Sequence, residues 1–355
     1  MAITLSNVVK TVGGEPFLYD TSLSFEPQGF NVLLGATGSG KTTLIKLLAG
    51  LEKPTRGSIH YGDRDMTGVK PQRRNVSLVH QFFINYPNMT VYENIASPLR
   101  VARMSEAEVD RRVRETAELM KLTPMLQRNP SALSGGQQQR TALARAVVKE
   151  SDLVLLDEPL ANLDYKLREE MRDELPKLFA GRGATVVYAT SEPGEALLLG
   201  GRTATMHEGR VTQFGKTEKL YREPADLTTA RVFSDPPINA AQVHKQGAEI
   251  VLDDTIRWPA EGAIAQAADG DYYVGVRPHF VSPRRENNVT VELNGKVLVT
   301  ELSGSESVAH FDLNGRPWVS QSHGVHSFKV GQSQAFYLDI SGCLYFHPDG
   351  ARVGA

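Results

Sequence analysis

Short apolar runs alternate with segments of helical periodicity over roughly the first 230 residues of the chain. Residues 31–35, 153–156 and 184–189 are predicted to be buried strands, because a strand covered on both faces need not alternate between apolar and polar residues. Between them, residues 105–121 open with capping-box spacing at Ser105 and repeat apolar or small residues at helical intervals. This order of elements predicts an α/β domain built on a largely parallel sheet.

A change of pattern near residue 221 divides the chain. A linker-like, proline-punctuated stretch ends at Pro237, and beyond it alternation replaces the helical period. We therefore expect a first domain over residues 1–235 and a small all-β domain over residues 236–355. Within the first domain, a helical subdomain is expected at about residues 88–135.

Two Asn-Gly pairs in the second domain, at 294–295 and 314–315, are predicted to be hairpin turns. Each pair follows a stretch in which apolar and polar residues alternate, as they do in a strand with one buried face. The alternating apolar positions are Val289, Val291 and Leu293 before the first pair, and Ala309, Phe311 and Leu313 before the second.

Composition limits the possible functions. The 355 residues include 39 basic and 41 acidic side chains, so a net charge of -2 gives no general case for binding nucleic acid. No apolar run approaches the ~18 residues needed to span a bilayer. A single cysteine, Cys343, cannot form an internal disulfide, and residues 1–10 lack the pattern of an export signal. The cytoplasm is therefore the expected location, with any membrane attachment supplied by another chain.

A glycine-rich segment after the first buried strand has the spacing of a phosphate-binding P-loop. Its residues are Gly35, Ala36, Thr37, Gly38, Ser39, Gly40, Lys41, Thr42 and Thr43. Glycines let backbone N–H groups converge on a phosphate, Lys41 neutralises phosphate oxygens, and the Thr42 hydroxyl can ligate Mg²⁺. A helix predicted over residues 44–49, with Gly50 as its C-cap, sets this loop apart from an ordinary glycine-rich turn.

An acidic pair follows the second buried strand. Asp157 ends the strand, where its carboxylate can reach the magnesium shell, and Glu158 beside it can polarise an attacking water. A solvated turn would explain two acidic residues equally well if they stood alone. Together with the P-loop they indicate a site that binds phosphates and Mg²⁺ and activates a water.

The segment of residues 133–140, Leu-Ser-Gly-Gly-Gln-Gln-Gln-Arg, resembles the signature of the ATP-binding cassette (ABC) ATPases. Ser134 and Gln137 have capping-box spacing, and Gly135 and Gly136 permit close backbone approach, so the following helix would present its N-terminus to an anion. The resemblance implies that this anion is the γ-phosphate of ATP held by the other subunit of a head-to-tail dimer. A capped surface helix is the plainer interpretation of the same residues.

The resemblance extends to two further segments. Gln81 is similar to the Q-loop glutamine, which would contact Mg²⁺ beside Thr42 and Asp157 and couple the site to membrane subunits. Residues 161–164, Ala-Asn-Leu-Asp, resemble the D-loop at the dimer interface. Residues 82–99 would then dock a helix of a membrane subunit, although Phe82, Phe83 and Tyr86 within them could equally be internal packing.

Three short segments of the tail resemble the OB-like (TOBE-type) regulatory domain of carbohydrate-importer ATPases, such as those of the maltose and glycerol-3-phosphate systems. These segments are residues 275–278, 304–306 and 349–350. The resemblance thus covers nearly the whole chain, and it implies an ABC-type P-loop ATPase domain followed by a small all-β domain.

Two positions depart from the family pattern. Ser191 stands where the family has a switch histidine that contacts the γ-phosphate, and a serine hydroxyl is shorter and cannot carry positive charge. The aromatic residue that stacks on adenine aligns near Val12, with Tyr19 as a substitute. Both departures resemble the glycerol-importer branch, which implies a pair of different ATP-binding subunits and slow hydrolysis at this chain's own site, unless a group such as His80 or His207 replaces the histidine.

The resemblance implies an importer subunit, with Glu158, Ser191 and Gln81 acting in ATP hydrolysis. Its partners would be a second ATP-binding subunit, different or identical, two membrane-spanning permease subunits at the cytoplasmic face of the inner membrane and, indirectly, an extracytoplasmic solute-binding protein. Glycerol is the solute suggested by likeness. A soluble cassette ATPase of DNA repair or translation is disfavoured, because the chain has no coiled-coil insertion and no basic stripe. Ser191 keeps open a nucleotide-sensing regulator without useful turnover.

Overall fold

The computed structural model describes residues 1–82, 84–161, 163–285 and 290–354, and the chain separates into two units, Met1–Glu218 and Lys219–Ala355. The sequence places the border later, near residue 235. The intervening residues fold as two short helices, and Leu227 and Ala230 of the second helix pack on Ile238 and Phe346 of the β-rich part. This apolar packing attaches the linker-like stretch to the second unit.

The described residues of the first unit form ten strands and six α-helices. The strands are β1 (Ile3–Val12), β2 (Glu15–Phe25), β3 (Phe30–Leu34), β4 (Arg56–Tyr61), β5 (Arg64–Asp65), β6 (Val76–Val79), β7 (Leu153–Asp157), β8 (Thr185–Thr190), β9 (Arg202–His207) and β10 (Arg210–Lys216). The helices are α1 (Lys41–Ala49), α2 (Val91–Val101), α3 (Glu106–Leu119), α4 (Gly135–Val148), α5 (Tyr165–Phe179) and α6 (Pro193–Leu199). Among the residues that the model describes, no helix is long and apolar enough to cross a membrane.

A six-stranded sheet in the order β10-β9-β3-β8-β7-β6 carries the core of this unit. Its strands are parallel except β10, which runs antiparallel to β9. Every residue of β7 and β8 is buried, which confirms the prediction of strands covered on both faces. Leu44, Leu47 and Leu48 of α1 pack between this sheet and the antiparallel sheet β2-β1-β4-β5.

The predicted amphipathic helix is confirmed as α3, which begins after its N-cap Ser105. The Ser105 side chain accepts a hydrogen bond from the Glu108 backbone N–H. The Glu108 carboxylate does not complete the capping box by returning to Ser105, because it pairs with Arg111 and Arg112 at 2.7 and 2.6 Å. Local ion pairs on the exposed helix face therefore replace half of the expected motif.

The second unit is mostly β-structure. Its helices are α7 (Thr217–Arg222), which spans the border, and α8 (Leu227–Val232). Its strands are β11 (Asn239–Gln246), β12 (Glu249–Leu252), β13 (Ile256–Pro259), β14 (Gly270–Val276), β15 (Val281–Ser282), β16 (Thr290–Leu302), β17 (Glu306–Leu313), β18 (Arg316–His323), β19 (Ser333–Asp339) and β20 (Cys343–Phe346). They form two five-stranded antiparallel sheets around a core that includes Trp258 and Trp318, as expected for an OB-like domain.

Of the two predicted hairpin turns, one is confirmed and one is wrong. Asn314 and Gly315 have positive φ and join β17 to β18, where Leu313 pairs with Arg316. The Asn294-Gly295 pair instead lies inside the continuous strand β16. A Cβ atom on Gly295 would stand 2.2 Å from the Phe311 ring of β17, so this glycine makes room for a cross-strand aromatic side chain. Val289, part of the pattern before this pair, lies outside the described residues.

Candidate functional site

The loop between β3 and α1 is shaped by close backbone approach. A Cβ atom on Gly35 would stand 2.3 Å from the Met206 carbonyl oxygen, so no other residue type fits there without displacing β9. Gly40, the N-cap of α1, has a φ of 101°, a conformation that favours glycine. The turn before β10 supports the loop, since the Gly209 N–H donates to the Ser39 carbonyl at 3.0 Å. The loop therefore presents its backbone at the N-terminus of a helix, as anion binding requires.

Lys41 lies inside the curve of this loop and is 4% exposed. Its Nζ donates to the carbonyl oxygens of Gly35 and Ala36 at 2.7 and 3.1 Å and lies 3.3 Å from Glu158 Oε1. A buried ammonium group needs such partners, and an anion in the loop would provide a stronger one.

Three further side chains complete a polar network with Lys41. The Thr42 hydroxyl donates to Asp157 Oδ1 at 3.1 Å, and Gln81 Nε2 donates to Glu158 Oε2 at 3.4 Å. Burial raises the pKa of Asp157 above its ordinary value, and the hydrogen bond from Thr42 opposes that rise. The structure therefore brings together residues that the sequence separates by more than a hundred positions.

Glu158 is held in an unusual backbone conformation. Its φ is 45°, which is uncommon for a non-glycine residue, and its N–H donates to the Ala189 carbonyl of β8 at 3.0 Å. Strain of this kind persists where surrounding structure enforces it, and it often marks a functional position. Here the enforced turn aims the carboxylate at Lys41 and Gln81.

Ser191 is exposed at the carboxyl end of β8, the strand between those that carry the P-loop and Asp157. The preceding residue, Thr190, accepts the Gly35 N–H with its carbonyl and donates its hydroxyl to Glu195 at 2.6 Å. The following residue, Glu192, pairs with Arg168 at 2.7 Å. The segment is thus fixed on both sides of Ser191, and the serine side chain itself faces solvent.

The signature residues form the start of α4, where Ser134 and Gly135 are exposed. Ser134 and Gln137 make the reciprocal hydrogen bonds of a capping box, at 3.4 and 3.1 Å, which confirms the predicted helix start. Gly135 is exposed, with open space where its Cβ would lie, and Gly136 packs against Leu167 of α5. In the described part of the chain, no hydrogen bond or ion pair joins residues 134–137 to the P-loop.

The segment compared with a D-loop precedes α5. Ala161 is exposed, Leu163 is buried, and Asp164 caps α5 by accepting the Leu167 N–H at 3.0 Å. Asn162, the second residue of the segment, lies outside the described residues.

Comparison with known proteins identifies the family. A family model described as ABC transporter matches residues 18–161. The chain is 36% identical over 364 residues to the sn-glycerol-3-phosphate import ATP-binding protein of Cupriavidus metallidurans, with 99% of each chain covered. It is 43% identical over 243 residues to the trehalose/maltose import ATP-binding protein of Thermococcus litoralis, with 67% of this chain and 65% of that protein covered. The chain belongs to the ABC transporter family. It is an ATPase subunit of this type, as its resemblance predicted.

A solved ABC structure supports the same conclusion. The ATP-binding cassette MJ0796, as a dimer in a post-hydrolysis state bound to ADP and Pi, aligns with a TM-score of 0.55 and 31% identity. The alignment covers 61% of this chain and 98% of that one. The predicted fold class, an ABC-type nucleotide-binding domain followed by an OB-like domain, is therefore confirmed.

Two features of this ABC subunit are not predicted by its sequence. A cavity of about 500 Å³ lies beside the Q-loop segment, where the Arg145 guanidinium stacks 4.2 Å from the Tyr86 ring centre and donates to the Ile84 carbonyl. Val101, 85% exposed, stands on its rim. Nothing in the helical pattern of α4 distinguishes Arg145 from a surface arginine. Phe83, one of the aromatic residues considered for packing here, lies outside the described residues.

The second feature concerns the aromatic residues near the P-loop. Val12 is exposed and has no ring, and one face of the Tyr19 ring is covered by the Arg210 guanidinium at 3.9 Å. Phe17, two residues earlier on β2, is 53% exposed. Its carbonyl abuts Gly209, in the turn that holds the P-loop. Phe17 therefore presents an uncovered aromatic ring on the strand next to this turn.

Proposed function

We propose that this chain is the ATP-binding subunit of an ABC importer for a small carbohydrate or polyol, with glycerol as the first solute to test. The observation that carries the proposal is the network of Lys41, Thr42, Gln81, Asp157 and Glu158 around a P-loop. The import ATP-binding relatives support the coupling to transport. The subunit would lie at the cytoplasmic face of the inner membrane, held there by permease subunits.

The network has the groups that MgATP requires. Backbone N–H groups of the P-loop and Lys41 would hold the phosphates, and Thr42, Asp157 and Gln81 would offer the hard oxygen ligands that Mg²⁺ prefers. Bound Mg²⁺ supplies neutralisation of charge on the phosphate oxygens. No cluster of three or more His, Cys, Asp or Glu among the described residues could hold a metal by itself, which suits an ion that is shared with a nucleotide.

Glu158 is placed to act as the base of hydrolysis. Its carboxylate can accept a proton from an attacking water, while Lys41 and Gln81 hold its two oxygens in a fixed orientation. We assign Phe17 to stacking on adenine, because its ring is free and one face of Tyr19 is taken by Arg210.

The exposed signature favours a dimer in which each subunit completes the other's site. Ser134, Gly135 and Gly136 lead into a helix of 14 residues whose N-terminal N–H groups suit an anion. Since no described residue of 134–137 bonds to this chain's own P-loop, we assign the signature to ATP bound by the second ATP-binding subunit.

The cavity beside the Q-loop segment is the proposed docking site of a permease helix. Its walls are largely apolar, with the Tyr86–Arg145 pair and the polar side chains of Ser77, His80, Ser97 and Lys149 also in the lining. Gln81 connects this region to Glu158, so movement of the docked helix would change the position of the Glu158 carboxylate through this hydrogen bond. Such a link is what coupling between transport and hydrolysis requires.

We infer that the ATP-binding pair is asymmetric. The signature of this chain is intact, whereas Ser191 offers only a short, solvent-facing hydroxyl near the γ-phosphate position. This chain would therefore lend its signature to a competent site on a different partner subunit, while its own P-loop mainly holds ATP. His207 is exposed beside Glu208, and His80 stacks on Phe82, so neither histidine is an evident substitute.

Phosphate release should be measured for the subunit alone, with its partner subunit, and with the permease subunits in lipid. The proposal predicts strong stimulation by the complete complex, whereas equal rates in all three states would contradict it. To test asymmetry, Glu158→Gln is compared with the same change at the catalytic glutamate of the partner. A similar loss of turnover from the two changes would contradict the asymmetric pair.

A nucleotide-sensing subunit without useful turnover is the second candidate, favoured by Ser191 alone. It predicts that ATP binding to this chain changes activity of the complex while Glu158→Gln in this chain leaves every rate unaltered. ATP-dependent solute uptake that falls in Glu158→Gln would exclude this candidate.

A further inference from the structure

A second cavity, of about 250 Å³, lies within the β-rich unit and has no part in the ATP site. It runs beside the edge strand β20 and the short 3-10 turn Gly262–Gln266, with Ile264 and Leu344 among its apolar walls. Pockets for drug-sized ligands occupy ~300–1,000 Å³, so this cavity suits a smaller molecule.

Two opposite charges line this cavity without neutralising each other. Glu261 is exposed and Arg352 is half-buried, and both belong to the lining. Throughout the described ranges, neither side chain has an ion-pair partner within 4.0 Å or a side-chain hydrogen bond. One anionic and one cationic group that share a cavity but stay apart are both available to a ligand.

The other polar groups of the lining are neutral. The Tyr345 hydroxyl accepts a hydrogen bond from Trp258 Nε1 at 2.7 Å, and burial raises the pKa of this hydroxyl. Burial also raises the pKa of the Cys343 thiol to about 12, so at neutral pH the thiol is neither charged nor a ready nucleophile. The Ser341 hydroxyl adds a further neutral group at the rim. The formal charges of the cavity are therefore those of Glu261 and Arg352.

We propose that this cavity binds a free α-amino acid. Its carboxylate would pair with Arg352, its ammonium group with Glu261, and an apolar side chain would pack on Ile264 and Leu344. A phosphate ester would meet repulsion from Glu261 and a simple amine repulsion from Arg352, whereas a neutral polyol would leave both charges without a partner. A zwitterion carries a partner for each of the two charges.

The experiment titrates the full-length protein with each of the twenty common L-amino acids, and separately with inorganic phosphate, glycerol and glycerol 3-phosphate. Isothermal calorimetry measures binding, and tryptophan fluorescence reports on Trp258, which bonds directly to the Tyr345 hydroxyl in the lining. At least one amino acid is expected to bind, and its amide and its N-acetyl derivative, which each lack one charge, should bind at least tenfold more weakly.

Variants locate the site. Arg352→Gln and Glu261→Gln should each weaken binding by about tenfold to a hundredfold, the range expected for losing a charge-assisted contact. Lys329→Gln, an exposed change elsewhere in the unit, should have no effect. The proposal is overturned if no amino acid binds, if the amide or N-acetyl derivative binds equally well, or if binding survives both charge changes. Comparing the amino acid with its amide and N-acetyl derivative on the unaltered protein tests the proposal even if a variant folds poorly.

Discussion

Replacing Ser191 with histidine should speed hydrolysis at this chain's own P-loop. Ser191 is exposed at the end of β8, so a larger side chain can be accommodated without repacking the core. Histidine adds a longer reach, a ring N–H donor and, when protonated, a positive charge. The carboxyl end of β8 lies between the strands that carry the P-loop and Asp157, so this added donor would face the developing charge on the phosphoryl group.

The expected gain follows from the cost of losing one such donor. Removal of a pre-organised donor lowers turnover by ~10²–10³ in other enzymes, or about 2.7–4 kcal/mol of activation free energy. Exposure of this position to solvent weakens the interaction, and the serine hydroxyl already supplies a part of it. We therefore expect a gain of at least about tenfold, equivalent to ~1.4 kcal/mol.

The assay is phosphate release from the complete complex in which the partner carries glutamine at its catalytic glutamate, so that only this chain's site turns over. Ser191→Phe approximates the ring without its hydrogen-bond donor and should give no gain. Adding Glu158→Gln to Ser191→His should abolish the gain. A Ser191→His complex that binds ATP normally but hydrolyses it no faster would refute the argument that the absent histidine limits this site.

Three other changes test separate parts of the account. Phe17→Ala should weaken MgATP binding by about 5- to 150-fold in calorimetry, because stacking contributes ~1–3 kcal/mol per base. Tyr19→Ala should weaken binding less. A larger loss of affinity in Tyr19→Ala than in Phe17→Ala would contradict the assignment of Phe17 to adenine. Val101→Glu should reduce stimulation by the permeases at least about fivefold while leaving ATPase activity of the free subunit intact, since it places a charge on the rim of a largely apolar docking cavity. Equal stimulation would exclude this docking site. Val330→Glu, at a valine that is 62% exposed in the second unit, is the control. Burial raises the pKa of Glu195 above its usual 4.5, so the folded protein loses stability as the pH rises from that value through the folded-state pKa. Glu195→Gln should remove this loss, measured as the free energy of urea unfolding between pH 4 and 8. A variant whose unfolding free energy falls with pH in parallel with that of the unaltered protein would contradict this expectation.

Much of the ATP site was predictable because its motifs are local. The P-loop spacing, the strand before Asp157 and the capping box at Ser134 each depend on residues within a few positions of one another. The convergence of these segments then follows from topology, because the carboxyl ends of neighbouring parallel strands meet at one edge of a sheet. The roles of the site residues are proposals that the variants above test.

Features that depend on a distant neighbour were not predictable. Gly295 carries a hairpin signal, and only the Phe311 ring on the next strand explains why the chain continues straight through it. Tyr19 looks available for stacking until Arg210, nearly two hundred residues later, is found over its ring. In both cases a local signal is overridden by a tertiary contact that the sequence does not encode at short range.

The most direct test of the central claim is solute uptake into proteoliposomes that contain the complete complex, with MgATP in the lumen and the solute-binding protein outside. Labelled glycerol, glycerol 3-phosphate and maltose are supplied in parallel. The account predicts accumulation of one of these solutes that requires luminal ATP and is lost with Lys41→Ala, whose Nζ lies at the centre of the P-loop network. ATP hydrolysis without uptake of any of the three, at a rate that the permease subunits do not change, would contradict it.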